Sequence, residues 1–351
     1  MKNYIGLEEM GNQNCAVVLE LIRQHGELSR KEIAERTKLS WGGMTKIVNK
    51  LFESGYIVED KSEQQTGQGR IPNIIKINRT RNFVIGLDIN RMGFRACVMN
   101  LAGEVLQEYV ADGAYDNKQD LLRAILSFTG KIVEEYRACH ILAIGIAMQG
   151  VLDAQRGVSV RFPRCADWEN IPLKEILEDR FSVPVFMEHD PDCILYSVLQ
   201  TEKQENVLLM RIDSSVGMAV SIGGKILKGN GVLEVAHQII VPGGKPCRCG
   251  QLGCLEAYIA PCLVNKEIQP AAVAEMILQL ATCMKNMCGL FNAKNMVLTG
   301  DLVQHRRLFE KALLDAFSPT VPVTFINESN HAVLGATQMA VARAIADIKI
   351  G

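Results

Sequence analysis

The segment FVIGLDIN (83–90) has the composition of a buried strand that ends in an aspartate, Asp88. The chain repeats this pattern at MRIDSS (210–215), where Asp213 follows a second apolar run. After each of these points, apolar strand-like runs alternate with helical segments such as QDLLRAILSFTGKIVEEY and AEMILQLATCMKNMCGLF. This alternation predicts an α/β fold, and its repetition in two halves predicts two lobes with a ligand cleft between them.

The composition of the 351-residue chain limits what the protein can be. Hydrophobic residues make up 48% of the chain, and a chain of this length is expected to form two or three domains. The 38 Lys and Arg residues almost balance the 39 Asp and Glu residues, so any contact with nucleic acid must come from a local patch. No apolar run approaches the roughly 18 residues of a membrane span. We therefore expect a soluble, cytoplasmic protein without a membrane partner.

Residues 12–54 have the pattern of three helices. The first, 14–25, places four apolar residues on one predicted face: Val17, Val18, Leu21 and Ile22. Ser29 and Glu32 form a capping-box pattern before the second helix, and Ser40 can cap the third, WGGMTKIVNKLFESG. Two strand-like runs, YIVED and IIKIN, follow this segment. The order of elements predicts a winged helix-turn-helix domain over residues 1–80.

The charge of this first domain favours contact with DNA. Residues 1–80 hold 12 Lys or Arg against 10 Asp or Glu, and the segment 36–50 has four bases and no acid. The third helix is expected to lie in the major groove and the wing to reach the minor groove. The predicted DNA contacts are Ser40, Trp41, Thr45, Lys46, Asn49 and Lys50 on the helix and Arg70 in the wing.

Two alternatives stay open for this domain. Gly42 and Gly43 each cost a helix interior about 1 kcal/mol relative to alanine, so the third helix either starts after them or tightens on DNA. A solvated basic helix, or a winged domain used for protein contacts, would show the same charge pattern.

Three of the eleven cysteines are crowded into PGGKPCRCGQLGCLEAY (242–258). The other cysteines lie mostly singly in apolar surroundings, as expected of reduced, buried thiols in a reducing compartment. Three thiolates and one imidazole would complete the closed tetrahedral shell of a structural zinc site. From spacing alone, buried thiols and a redox pair remain alternatives.

These features together resemble the ROK family, named for repressors, open reading frames and sugar kinases. GNGVLEVAHQ (229–238) and CRCGQLGCLEAY (247–258) are similar to the family signature, and HAVLGATQMAVARA (331–344) is similar to the family's last helix, which packs on the first lobe. The resemblance spans nearly the whole chain. It implies a winged helix-turn-helix at 1–80, followed by a two-lobed actin/hexokinase-like (ribonuclease H-like) ROK domain. Lobe 1 would cover 81–195 with the C-terminal helix 331–351, and lobe 2, with the zinc motif, 196–330.

The resemblance also implies binding residues. The family's structural zinc ligands map onto four positions: His237, Cys247, Cys249 and Cys254. Its sugar-contacting positions map onto Asp190, Glu234, His237 and Glu256, and His189 replaces the asparagine of a Glu-Asn-Asp motif. Arg164 stands where the family usually has an asparagine, so that Arg164 and His189 would favour an anionic effector such as a sugar phosphate or sugar acid. A surface position for Arg164 is the equal alternative.

The two loops that hold ATP phosphates in the family's kinases are altered. Such loops need glycines because only glycine permits close backbone approach to the phosphates. Here the first loop is Asp-Ile-Asn-Arg-Met (88–92) and the second is Asp-Ser-Ser-Val-Gly (213–217). We therefore predict that Asp190 is a vestigial catalytic base and that the protein is not an enzyme.

The leading hypothesis is a transcriptional regulator, expected to be a repressor, of carbohydrate metabolism. It would bind a double-stranded DNA operator as a homodimer or higher homo-oligomer and respond to a sugar or sugar-phosphate effector. An ATP-dependent sugar kinase with an appended DNA-binding domain is the alternative. A metal or redox sensor that acts through the cysteine cluster is a third possibility.

Overall fold

The computed structural model describes residues 7–61, 73–163, 165–201, 205–228, 233–264, 267–318, 321–327 and 330–350. The chain divides into two compact units. Unit 1 comprises Met1–Ile146, Pro163–Met187 and Ala336–Gly351, and unit 2 comprises Ala147–Phe162 and Glu188–Gly335. The finer division at 80/81, 195/196 and 330/331 stays a prediction.

The N-terminal part of unit 1 is a winged helix. Its elements are α1 Leu7–His25, β1 Glu27–Ser29, α2 Arg30–Thr37, α3 Trp41–Glu53, β2 Ile57–Lys61 and β3 Asn73–Ile77. The three strands form one antiparallel sheet in the order β1-β3-β2. Both predicted helix caps are present: Ser29 and Glu32 bond each other's backbone amides, and the Ser40 side chain accepts from the amide of Gly43. Helix α3 therefore begins at Trp41, and the later start is wrong.

Helix α1 differs from the sequence prediction in its start and in its buried face. It begins at Leu7 instead of Asn14, and Val17, predicted to be buried, is 57% exposed. The face that packs inward is shifted by about one position, to Cys15, Val18, Leu19 and Ile22. These positions follow the i, i+3, i+4, i+7 spacing of one helical face, and α1 contacts α3 through it.

The remaining strands, in chain order, are β4 Asn82–Asn90, β5 Gly93–Asn100, β6 Val105–Asp112, β7 His140–Met148, β8 Val151–Asp153, β9 Val158–Phe162, β10 Cys165–Ile171, β11 Val185–His189, β12 Val207–Ile212, β13 Val216–Ile222, β14 Lys225–Ile226, β15 Leu263–Val264, β16 Glu267–Ile268, β17 Asn295–Thr299 and β18 Val323–Phe325. The remaining α-helices are α4 Lys118–Glu135, α5 Leu173–Phe181, α6 Asp190–Thr201, α7 Glu256–Ile259, α8 Pro270–Phe291, α9 Glu310–Phe317 and α10 His331–Ala346. Short 3-10 helices cover Val235–His237, Ala260–Cys262 and Asp301–Leu308. Within the described ranges, no helix is both long and apolar enough to cross a membrane.

Two five-stranded sheets repeat one topology. In unit 1 the order is β6-β5-β4-β7-β11, and in unit 2 it is β14-β13-β12-β17-β18. The central strand is β4 in one sheet and β12 in the other, and the next strand in the chain pairs with it antiparallel. Asp88 lies within β4, two residues before its end, and Asp213 directly follows β12. The predicted α/β fold with two similar halves is confirmed.

Candidate functional site

The exposed face of α3 carries the residues predicted to contact DNA. Met44, Ile47, Val48 and Leu51 fill the core, which turns Trp41, Lys46 and Asn49 toward solvent. The Trp41 side chain, at the first position of the helix, is 60% exposed. Thr45 and Lys50 are half-buried at the margins of this face. Arg70, the predicted wing contact, lies outside the described residues.

Asn49 is held in place by a side chain from α2. The guanidinium of Arg30 donates to Oδ1 of Asn49 at 3.2 Å from both Nη atoms, and its Nε lies 3.1 Å from Glu59 on β2. Arg30 thus connects the second helix, the third helix and the wing strand. The bridge gives Asn49 a defined orientation on the exposed face.

Four predicted ligands in unit 2 form a tight group. One ligand atom each from His237, Cys247, Cys249 and Cys254 lies within 4.8 Å of every other. The Cys247 sulfur is 3.6 Å from Nδ1 of His237, and the Cys249 and Cys254 sulfurs are 3.6 Å apart. A tetrahedral zinc ion with Zn–S bonds of about 2.3 Å separates its sulfur ligands by about 3.8 Å. The group has the donor set and spacing to hold a metal ion.

A tight chain reversal brings these ligands together. Cys254 pairs with Ile239 in an isolated β-bridge. Gly253 has a φ of 84°, and a Cβ there would overlap the carbonyl oxygen of Val241, so only glycine fits. Burial raises the pKa of the Cys254 thiol to about 12, whereas a hydrogen bond with the Gln251 backbone lowers the pKa of Cys249. A bound cation would make the thiolate favourable at both positions.

Asp190, the predicted vestigial base, is paired with an arginine that sequence reasoning missed. Asp190 is the first residue of α6 and is 2% exposed. Nη1 of Arg211 on β12 donates to Oδ2 of Asp190 at 2.5 Å, and its Nε donates to Oδ2 of Asp213 at 3.0 Å. Asp213 also accepts from the backbone amide of Asp301 at 2.8 Å. One half-buried arginine therefore neutralises part of the charge on two buried carboxylates.

His189 is half-buried beside this pair and is neutral at neutral pH. Burial lowers its pKa to about 4; the negative charge of Asp192 opposes this shift, and the positive charges of Arg211 and Lys228 add to it. Its Nε2 lies 3.4 Å from Asp190, a distance that does not outweigh burial. This shift argues against an attraction of an anionic effector by the charge of His189, and the anionic effector stays a prediction. Arg164, the other half of that prediction, lies outside the described residues.

Two further cations, Lys228 and Arg248, pair with other carboxylates of unit 2. Lys228 lies 2.6 Å from Glu188 and 2.9 Å from Asp192. The guanidinium of Arg248, between two of the metal ligands, lies 2.6 Å from the buried carboxylate of Glu256. Burial raises the pKa of the Asp192 carboxyl. Burial opposes protonation of Lys228, but the negative charges of Asp192 and Glu188 outweigh it and raise the pKa of Lys228.

The predicted effector residues occupy different settings within unit 2. Glu256 is 2% exposed and accepts from Ser215 Oγ as well as from Arg248. Glu234 is exposed, one 3-10 turn before the metal-ligand position His237. Asp190 is joined to the turn after β12 by Arg211, and Ser215 in that turn contacts Glu256. The structure thus connects Asp190 and Glu256 through one polar network.

The turn after β4 in unit 1 is built differently. Nδ2 of Asn90 donates to Oδ2 of Asp88 at 2.9 Å, and Oδ1 of Asn90 accepts from the amide of Met92 at 2.9 Å. Asn90 therefore closes the hairpin between β4 and β5 with its own side chain, as an Asx turn does.

Sequence signals for the missed residues were present. Arg211 is the single charged residue of the otherwise apolar strand VLLMRI (207–212), and a charge in a buried strand requires a partner. Arg248 lies between Cys247 and Cys249 of the metal motif, so a turn that gathers the cysteines also fixes the position of its backbone.

Comparisons with family models match two parts of the chain. The model of the ROK family matches residues 84–271. A model described as winged helix-turn-helix DNA-binding matches residues 18–58. The first match covers more than half of the chain.

Among curated proteins, the chain is similar to sugar-related regulators. It is 30% identical over 263 residues to the DNA-binding transcriptional dual regulator NagC of Escherichia coli K12, across 73% of this chain and 64% of NagC. It is 26% identical over 253 residues to the xylose repressor of Caldicellulosiruptor bescii, across 70% of this chain and 63% of that protein. The chain thus spans slightly less than two thirds of the length of these relatives.

Solved structures show the same fold. A ROK family transcriptional regulator, a homologue of the E. coli Mlc protein, superposes with a TM-score of 0.80 at 19% identity, over 96% of this chain and 97% of that chain. A ROK hexokinase from Thermus thermophilus superposes with a TM-score of 0.63 at 22% identity, over 74% of this chain and 98% of the hexokinase. Regulators and kinases therefore share this architecture.

Proposed function

We propose that this chain, which belongs to the ROK family, is a DNA-binding transcriptional repressor of carbohydrate metabolism that responds to a sugar-like effector. The observation that carries the proposal is the union, in one chain, of a winged helix with an exposed recognition helix and a ROK domain. Relatives named as a transcriptional regulator and a xylose repressor support it. We further propose a cytoplasmic homodimer, because a helix-turn-helix commonly reads two half-sites one helical turn apart.

DNA contact is proposed for the exposed face of α3. Lys46 and Lys50 would contact phosphates, while Trp41 and the oriented amide of Asn49 would face base edges. Thr45, whose hydroxyl oxygen is buried, would contribute only the exposed part of its side chain. Ser40, as the N-cap, places the first turn of the helix at the groove. Arg70 is proposed for the minor groove from sequence alone.

The effector is proposed to be an uncharged sugar. Its candidate contacts are Asp190, His189, Glu234, His237 and Glu256, and carboxylates accept paired hydrogen bonds from sugar hydroxyls. The network around them holds five carboxylates, Glu188, Asp190, Asp192, Asp213 and Glu256, against three cations, Arg211, Lys228 and Arg248. Acids outnumber bases and His189 is neutral, so this surface disfavours a sugar phosphate.

The metal site is proposed to be structural zinc. The four ligands His237, Cys247, Cys249 and Cys254 fill a tetrahedral shell and leave no open position for a reacting group. Zinc would hold the reversal that places Arg248 against Glu256, and so would stiffen one side of the effector network.

A lack of kinase activity is proposed from two features. The Arg211 guanidinium already engages Asp190, which weakens this carboxylate as a general base. The turns after β4 and β12 are closed by Asn90 and by Arg211 with Asp213, in place of glycine-rich loops that present amides to phosphate. A ROK hexokinase has the same fold, so an ATP-dependent sugar kinase is the alternative that the assay below tests.

DNA binding is tested with a random-sequence duplex pool and the full chain. The expected result is enrichment of one motif, with Lys46→Ala weakening its binding by about tenfold at moderate salt. Lys31→Ala, an exposed lysine on α2, is the matched control and should bind like the wild type. No enrichment above a shuffled pool would overturn the proposal.

Effector binding and turnover are tested together. Sugars and sugar phosphates are screened for release of the selected duplex and for thermal stabilisation. The same panel with ATP is assayed for ADP release, and turnover comparable to that of ordinary sugar kinases would favour the enzyme. Tight binding of a sugar phosphate alone would refute the uncharged effector. Reversible control of DNA binding by zinc would favour the metal sensor.

A further inference from the structure

A buried asparagine connects the end of the recognition helix to the central strand of the unit 1 sheet. Asn82, the first residue of β4, is fully buried. Its Nδ2 donates to the carbonyl oxygen of Gly55 at 2.9 Å, two residues after α3 ends. The only chain between the wing strand β3 and β4 is the four-residue segment 78–81.

The segment after α3 is fixed at further points. Gly55 has a φ of 76°, and a Cβ there would lie 2.6 Å from Cδ of Arg81, so the arginine packs directly on this glycine. The amide of Asn78 donates to the carbonyl oxygen of Tyr56 at 2.9 Å. Residues 55 and 56 are thus bonded or packed against both ends of the connecting segment.

The other end of the Asn82 side chain reaches the neighbouring strand. Oδ1 of Asn82 lies 3.1 Å from Nδ1 of His140, the first residue of β7. Because an amide oxygen only accepts, Nδ1 of His140 carries the hydrogen. The amide of His140 in turn donates to the carbonyl oxygen of Arg81 at 3.0 Å. One amide group therefore bridges α3's end, β4 and β7.

We propose that Asn82 is a positioning residue that fixes the recognition helix against the unit 1 sheet. A displacement of β4 or β7 then moves the carbonyl of Gly55, and with it the end of α3. The winged helix is on this view a rigid extension of the sheet, and its four-residue connection is no flexible tether. The proposal rests on the proposed DNA-binding function for its second readout only.

The first test is hydrogen–deuterium exchange of the full chain, read at the Asn78 amide. Asn82→Ala should raise its exchange rate about tenfold, because buried hydrogen bonds that restrain the junction are lost. Asn82→Asp keeps the size and the acceptor for His140 but has no hydrogen to donate to Gly55, and it should behave like Asn82→Ala. Thr337→Val, which removes a buried hydrogen bond to Cys97 elsewhere in unit 1, is the matched control and should leave the Asn78 amide protected.

The second test is affinity for a duplex selected with the wild-type chain. Asn82→Ala should bind it about tenfold more weakly, while amides within α3 exchange as in the wild type. Should the Asn82 variants fail to fold, His140→Ala carries the test, with an expected rise of about threefold in Asn78 exchange. Unchanged exchange and affinity in every folded variant would overturn the inference. A wild-type chain that selects no DNA would instead refute the proposed function, and exchange at Asn78 would still test the junction.

Discussion

The sheets of unit 1 and unit 2 share one strand order but differ in the groups held at their central strands. In unit 1, β4 begins with Asn82 at the winged helix and ends in a turn that the neutral amide of Asn90 closes. In unit 2, Arg211 near the end of β12 lies between Asp190 and Asp213. The same backbone topology therefore supports a side-chain amide that bridges a carboxyl and the backbone in one half, and an arginine that pairs with two buried carboxylates in the other. The two halves therefore differ in the side chains at the ends of their central strands and not in their strand order.

Loss of a metal ligand in unit 2 should lower the melting temperature far more than the same substitution in unit 1, and this is the largest effect that we expect. Cys249 is exposed, so Cys249→Ser removes a ligand without opening the core. The melting temperature should fall by about 10 °C, because zinc binding contributes directly to folding free energy. Calorimetry and metal analysis by mass spectrometry provide the measurement. Cys139→Ser, a half-buried cysteine of unit 1, is the control, and a Cys249→Ser protein with full metal content and wild-type melting would contradict the zinc assignment.

Removal of the central cation of unit 2 should have the next largest effect. Arg211→Met leaves Asp190 and Asp213 buried without their shared partner and should reduce the free energy of unfolding by about 3 kcal/mol. Urea denaturation measures the loss. Arg123→Met breaks an exposed pair with Asp120 and should cost about 0.5 kcal/mol. Equal losses of unfolding free energy in the two variants would show that the Arg211 pairs contribute no more than an exposed ion pair.

Protonation of His189 at acid pH should lower the stability of the fold. Its pKa in the folded protein, about 4, lies below the unfolded value of about 6.5, so the unfolded chain binds the proton first as pH falls. The free energy of unfolding should therefore decrease by about 3 kcal/mol between pH 6.5 and pH 4 from this group alone. His189→Gln should flatten this part of the profile, whereas His25→Gln, which changes an exposed side chain of α1, should not. A His189→Gln profile as steep as that of the wild type would refute the buried neutral imidazole.

The smallest effect is expected at the turn of unit 1. Asn90→Ala removes two hydrogen bonds of the Asn90 side chain, one donated to the Asp88 carboxyl and one accepted from the Met92 amide, and should reduce the free energy of unfolding by about 1 kcal/mol. Urea denaturation beside Arg211→Met gives a direct comparison of the two turns. A loss at Asn90 as large as that at Arg211 would remove the contrast between the halves.

Local signals in the sequence predicted much of the winged helix. Ser29 with Glu32, and Ser40, marked the helix starts because a cap bonds amides within the next few residues. Helix α1 was predicted less well: its start has no such cap signal, and Cys15 and Leu19 replaced Val17 and Leu21 on the buried face once α3 packed against it. Which face of α1 is buried depends on how α1 packs against α3. The spacing of apolar residues within α1 does not specify that packing.

The sequence predicted the group of metal ligands, but it did not predict which cations pair with the buried carboxylates. Cys247, Cys249 and Cys254 are close in sequence, so their grouping needed only a tight reversal. The partners of Asp190 and Glu256 come from β12 and from the metal motif, and no local rule connects them. The lowered pKa of His189 could not be predicted from the sequence either, because it depends on burial among elements far apart in the chain.

The sequence by itself determined the elements, the repeated strand-to-aspartate pattern and the metal-ligand motif, because periodicity, capping and short spacing act over a few residues. Only the tertiary structure decided that Arg211 joins Asp190 to Asp213, that His189 is neutral, and that Asn82 bonds the end of α3. These depend on desolvation and on contacts between strands and helices distant in sequence, and both arise only when the sheets are assembled.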